Sequence, residues 1–214
     1  PEEPPLLAVL WTGRRGADSW SEKAPAVDFY DLKGLADRLF RHLGLRHVTY
    51  HPARCEGMHP GRTAEIRITA NGRETVIGRI GQLHPEVQQA RDLKDTYVME
   101  IALEPVYAAA DFAVVYTPVP KVPAVTRDIA VVVDAGVPAA ALLDAVKDAG
   151  GALLESVELF DVYTGEHIGA GKKSVALSLT YRDPERTLTD EEVAALHERV
   201  AEALTSQFAA QLRQ

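Results

Sequence analysis

The sequence predicts an α+β chain in two parts, a mainly antiparallel sheet region with one strong helix over residues 1–115 and a βαββαβ unit over residues 116–214. Three observations carry this. Two alternating segments, Val157 to Tyr163 and Ser174 to Tyr181, flank a glycine-rich turn, the pattern of two half-buried strands in a hairpin. The helix after them has its start written out: Thr189 and Glu192 are spaced as a capping box, and Leu188 and Val193 as a hydrophobic staple. Between the two parts, Pro118, Pro120 and Pro123 predict an extended connector over Asp111 to Thr126.

Composition narrows the function classes. A chain of 214 residues with 46% hydrophobic and 25% charged residues has enough apolar content for one or two packed cores. Its start, Pro1 to Pro5, is acidic and proline-rich, and the apolar runs Leu6 to Trp11 and Ile129 to Val133 are too short to cross a bilayer, so a soluble protein without a secretion signal is expected. One cysteine, Cys55, forms no internal disulfide and fits a reducing compartment, the cytoplasm. Net charge is −8, with 14 basic against 16 acidic residues before Thr117 and 9 against 15 from there on. Such a balance argues against a free-standing, non-specific nucleic-acid binder, which needs many phosphate-neutralising cations. It leaves room for a specific reader of bases within a larger assembly.

Taken in order, Leu6 to Trp11 reads as a strand and Thr12 to Pro25 as a loop. Leu32, Leu35, Leu39 and Leu43 recur at helical spacing and predict a helix over Phe29 to Leu43, with Asp28 and Asp31 at its start and Gly44 as its stop. His47, His51, Cys55 and His59 fall four apart, a spacing that would gather zinc ligands on a helix. Pro52, Gly57, Pro60 and Gly61 forbid that helix, so these are read as loop and strand-edge polar groups; a zinc hydrolase built on them is a rival reading that needs stoichiometric metal. Ala64 to Ile68 and Thr75 to Ile77 form a hairpin across Asn71-Gly72. A helical turn or two begins at His84-Pro85, where His84 is read as structural rather than as an acid or base, and a strand runs from Tyr97 to Leu103. No nucleophile with its base and no phosphate loop is found in this region.

The second part follows as strand Ile129 to Asp134, helix from Pro138 with inner face Leu142, Val146 and Ala149, strands Glu155 to Tyr163 and Lys173 to Arg182, the helix from Thr189, and a short strand within Ala209 to Arg213. The inner face of the last helix is Val193, Leu196, Val200, Leu204 and Phe208. This order is the ferredoxin-like plan, a four-stranded sheet with one face bare of helices. Strand parity assigns Ile129, Val131, Val133, Phe160, Val162, Val175, Leu177 and Leu179 to the core. It assigns Ala130, Val132, Asp161, Tyr163, Ser174, Ala176, Ser178 and Thr180 to the bare face. A ring for stacking, a carboxylate that accepts from base N–H groups, a hydroxyl and small neighbours suit unstacked RNA bases. The turn Gly165 to Ser174 is not a Walker loop, since Glu166 replaces the first glycine, Lys173 separates Lys172 from Ser174, and the context is strand-turn-strand.

PAVTRDIAVVV (123 to 133), LFDVYTGEHIGAGKKSVALSLTYR (159 to 182) and TLTDEEV (187 to 193) closely resemble the anticodon-binding domain of the β subunit of bacterial phenylalanyl-tRNA synthetases. VDFYDLKG (27 to 34), HPGRTAEI (59 to 66) and IGRIGQLHPEV (77 to 87) resemble that subunit's catalytic-like region, so the resemblance covers nearly the whole chain. It implies a class II synthetase-like but inactive domain over 1–115 and an anticodon-binding domain over 116–214. It also implies cytoplasmic work in an (αβ)2 assembly, whose α subunit carries ATP- and Mg2+-dependent attachment of phenylalanine to its tRNA. In line with this, the glycine-rich, arginine-ending motif that would hold ATP is missing here. Neither a catalytic residue nor a cofactor or metal is expected on this chain, and the editing region would precede Pro1. The positions implied to meet the tRNA(Phe) anticodon are Ala130, Asp161, Tyr163 and Ser174; beside them Lys172 and Lys173, a basic pair at the hairpin end, and Arg127 and Arg182 are expected as phosphate contacts. A non-enzymatic small-molecule sensor, in which ferredoxin-like sheets pair around a ligand, is the alternative reading of the same fold.

Overall fold

The computed structural model describes residues 3–70, 72–116 and 118–213. Pro1, Glu2, Asn71, Thr117 and Gln214 lie outside the described residues, and with them the first residue of the expected Asn71-Gly72 turn. The chain divides into two compact units, Pro1–Val115 and Tyr116–Gln214, each described by itself. No helix among the described residues is long and apolar enough to cross a membrane.

The first unit runs β1 (Leu6–Thr12), α1 (Phe29–His42), β2 (Val48–Pro52), β3 (Met58–Ala70), β4 (Arg73–Leu83), α2 (Pro85–Ala90), β5 (Thr96–Ala102) and α3 (Leu103–Ala109). Its sheet is antiparallel throughout, in the order β1-β5-β4-β3-β2. Asp28 caps α1 by accepting the Asp31 N–H, and the Asp31 carboxylate accepts the Asp28 N–H in return. Leu32, Ala36 and Phe40 are the buried stripe of α1, packed over Ile66, Ile80 and Met99. Leu35, expected on the inner face, is 41% exposed. The stripe is centred between Leu32 and Phe40, which leaves Leu35 about a quarter-turn off. The chain leaves α1 through Gly44 at φ +73°, where a Cβ would run into the Asp111 carbonyl. The helix α3 was not legible in the sequence: it is a short turn with buried Val106 and Pro105 in its first turn.

The second unit runs β6 (Val125–Asp134), α4 (Ala139–Gly150), β7 (Leu154–Tyr163), β8 (Lys172–Tyr181), α5 (Asp190–Phe208) and β9 (Gln211–Arg213). The sheet order is β7-β8-β6-β9, with every neighbour antiparallel, which is the ferredoxin-like arrangement. Both helices cover one face. Leu142, Ala145 and Val146 of α4 and Val193, Leu196, Val200 and Leu204 of α5 bury Ile129, Val131, Val133, Val175, Leu177 and Leu179. The cap of α5 has both halves, Thr189 Oγ1 accepting the Glu192 N–H and the Glu192 carboxylate accepting the Thr189 N–H, and Leu188 and Val193 are buried beside it.

One core assignment needs correction. Phe160 is 58% exposed and Val162 47% exposed, and β7 instead contributes Leu154 and Val157 to the core. The cause is a register shift between Leu159 and Asp161, which inserts Phe160 as an extra residue opposite the Leu177–Ala176 step of β8. Parity counted from Tyr163 therefore fails upstream of Phe160. Val162 keeps a core-side register, opposite Val175, but sits near the end of an edge strand.

Candidate nucleic-acid interface

Residues paired across antiparallel strands point to the same face, so the register gives the bare face row by row. One row is Gln211, Val132, Ser174 and Tyr163; the next is Arg213, Ala130, Ala176 and Asp161; a third is Asp128, Ser178 and Glu158. Ala130, Asp161, Tyr163 and Ser174 thus lie in two adjacent rows on the side opposite α4 and α5. Tyr163 keeps 40% of its surface and Asp161 is exposed, whereas Ser174, between Val132 and Tyr163, is buried. The Tyr163 ring leans on the α-carbon of Gly165, so closely that a Cβ there would overlap the ring. In the third row the Ser178 hydroxyl donates to Asp128 Oδ1 at 2.6 Å, which leaves acceptors facing outward.

The four expected phosphate contacts separate. Lys172 pairs with Asp134 and has bare-face register. Lys173 pairs with buried Val133, on the helix side, and burial lowers its pKa. Arg127 also has helix-side register and binds Asp190, at the start of α5, at 3.1 Å. Arg182 is held by Glu155 at 2.9 Å and donates to the Val122 carbonyl. Reading the sequence missed Asp128 because β6 starts four residues before the expected Ile129, and Glu158 because the bulge reverses parity. Arg213 escaped because the pairing partner of β9 is not written locally.

The first unit has a cleft of about 570 Å³ between the start of α1 and the sheet, walled by Phe29, Tyr30, Tyr50, Tyr97 and Arg62. Two of its polar groups, Tyr50 and Arg62, are tied into the fold. The Tyr50 hydroxyl donates to Asp37 at 2.6 Å, and Arg62 donates to Gln82, which donates on to Asp95. His84 caps α2, its Nδ1 accepting the Glu86 N–H. His51 lies 3.0 Å from Thr49, His59 Nδ1 accepts the Gly61 N–H, and Cys55 is half-buried. Among the described residues no three His, Cys, Asp or Glu side chains gather as a metal site.

A helix-backed sheet whose bare face offers a ring, carboxylates and a flat alanine floor has the groups that a nucleobase would need. Residues 120–213 match the family described as the ferredoxin-fold anticodon binding domain, and residues 1–103 match the phenylalanyl tRNA synthetase beta chain CLM domain. Over all 214 residues the chain is 51% identical to a phenylalanine–tRNA ligase beta subunit of Geobacillus kaustophilus, 47% to that of Halalkalibacterium halodurans and 45% to that of Shouchella clausii. The chain belongs to the phenylalanyl-tRNA synthetase beta-chain family. It spans 26% of the length of each of these three relatives.

Proposed function

We propose that this chain works within a phenylalanine–tRNA ligase, where its second unit reads the tRNA(Phe) anticodon on the bare sheet face. The observation that carries the reading is the register, which gathers Ala130, Asp161, Tyr163 and Ser174 into two adjacent rows. Tyr163 stacks on an anticodon base, Asp161 accepts from base N–H groups, Ala130 lets the base lie close, and Ser174, buried between Val132 and Tyr163, backs the ring's row. The first unit is an inactive class II synthetase-like domain that supports assembly with an α subunit in a cytoplasmic (αβ)2 enzyme. That α subunit carries the ATP- and Mg2+-dependent attachment of phenylalanine.

The test is co-expression of the full-length β chain with its α partner, followed by aminoacylation. Tyr163→Ala is expected to lose about 1 to 3 kcal/mol of tRNA binding, seen as a raised KM for tRNA. An unchanged KM removes Tyr163 from the site.

A further inference from the structure

Across the three rows from Asp128 to Val132, Arg213 is the only cation among the described residues with bare-face register. It stands at the β9 edge, in the same row as Ala130, Ala176 and Asp161, with its side chain exposed. The opposite side of the face is acidic, with Asp161 and Glu158 on β7, and Asp128 lies on β6. From β9 to β7 is three strand spacings, about 14 Å, and the floor between Arg213 and Asp161 consists of two alanines. A nucleotide laid across that floor has one orientation that satisfies both ends. Its phosphate is repelled by the β7 carboxylates and attracted to the guanidinium, while its base, rich in N–H donors, meets Asp161.

We propose that Arg213 binds a backbone phosphate of the tRNA strand and thereby sets the strand's orientation, backbone along β9 and bases across Ala130 and Ala176 toward β7. This rests on the reading of the bare face as the RNA site, so its test carries a control for that reading. Equilibrium binding of tRNA(Phe) to the full-length (αβ)2 enzyme is measured over a salt series for Arg213→Ala, Arg213→Lys and Tyr163→Ala. Arg213→Ala is expected to weaken binding roughly threefold to tenfold and to flatten the dependence of log Kd on log salt by about 0.7, the share of one single-strand phosphate. Arg213→Lys restores most of that slope, and Tyr163→Ala weakens binding with the slope intact.

If Tyr163→Ala weakens binding while Arg213→Ala changes neither affinity nor slope, the phosphate contact is overturned and the RNA face stands. Weaker binding of Arg213→Ala with an unaltered slope also overturns it, since that is the mark of a disturbed β9. If neither variant binds more weakly, both the contact and the face fall.

Discussion

Gly165 is the seat of the Tyr163 ring. Two residues past the ring in sequence, its α-carbon lies so close under the phenol that any Cβ would displace it. Gly165 has extended backbone, φ −165° and ψ 171°, so glycine here leaves room for the ring and does not serve the backbone conformation. The ring is thereby held at the end of β7 with 40% of its surface free.

Gly165→Ala therefore tests the position of the ring without removing it. The added methyl pushes the phenol away, and the variant is expected to show a raised KM for tRNA in the assembled enzyme, approaching the effect of Tyr163→Ala, with the melting temperature unchanged. A normal KM would mean that the ring's resting place does not matter to binding.

The bulge at Phe160 makes a second prediction, in stability. Phe160 is 58% exposed, so Phe160→Ala is expected to change the unfolding free energy by no more than about 0.5 kcal/mol. A core phenylalanine would cost about 3 to 5 kcal/mol, and Leu177→Ala, fully buried in β8, about 2 to 5 kcal/mol. Thermal melts of the two variants side by side separate these cases.

Phe160 also shows where the sequence stops being readable. Elements whose signals are local were legible: the Thr189 cap, the Leu188 staple and the alternation of β8 all state their structure within a few residues. Ala130, Asp161, Tyr163 and Ser174 shared a face on paper because all lie downstream of the bulge or on strands without one. An inserted residue leaves no mark in an alternating pattern, so parity carried Phe160 into the core and Glu158 off the bare face. Arg213 depends on which strand β9 joins, a contact some 80 residues away in sequence. Helix α3 has too few residues for a period to emerge.

The start of α5 should weaken in acid. Arg186 donates to the Glu192 carboxylate at 2.6 and 2.9 Å, and the Thr189 N–H adds a third bond, which together hold the Glu192 pKa at about 2, below the ordinary 4.5. A carboxylate whose folded pKa is depressed stabilises the fold fully above its unfolded value, and that contribution is lost as pH falls from about 4.5 toward 2. Arg186→Gln is expected to flatten this part of the stability profile, whereas Thr189→Ala costs about 1 kcal/mol at neutral pH. Urea unfolding at a series of pH values reads both.

His197 governs a separate and milder range. Its ring packs edge-on against buried Tyr181 with Nδ1 3.4 Å from the hydroxyl, and burial, with Arg127 nearby, lowers its pKa below the ordinary 6.5. Above 6.5 the imidazole is neutral whether the chain is folded or not, so its contribution is intact. As pH falls below 6.5 the unfolded chain takes up the proton first, and stability is lost until the folded value is passed. The second unit should therefore melt at a lower temperature at about pH 5 than at about pH 7. In His197→Gln, which keeps a polar partner for Tyr181 but cannot titrate, that difference should shrink. An identical pH dependence in the two proteins would assign the loss to other groups.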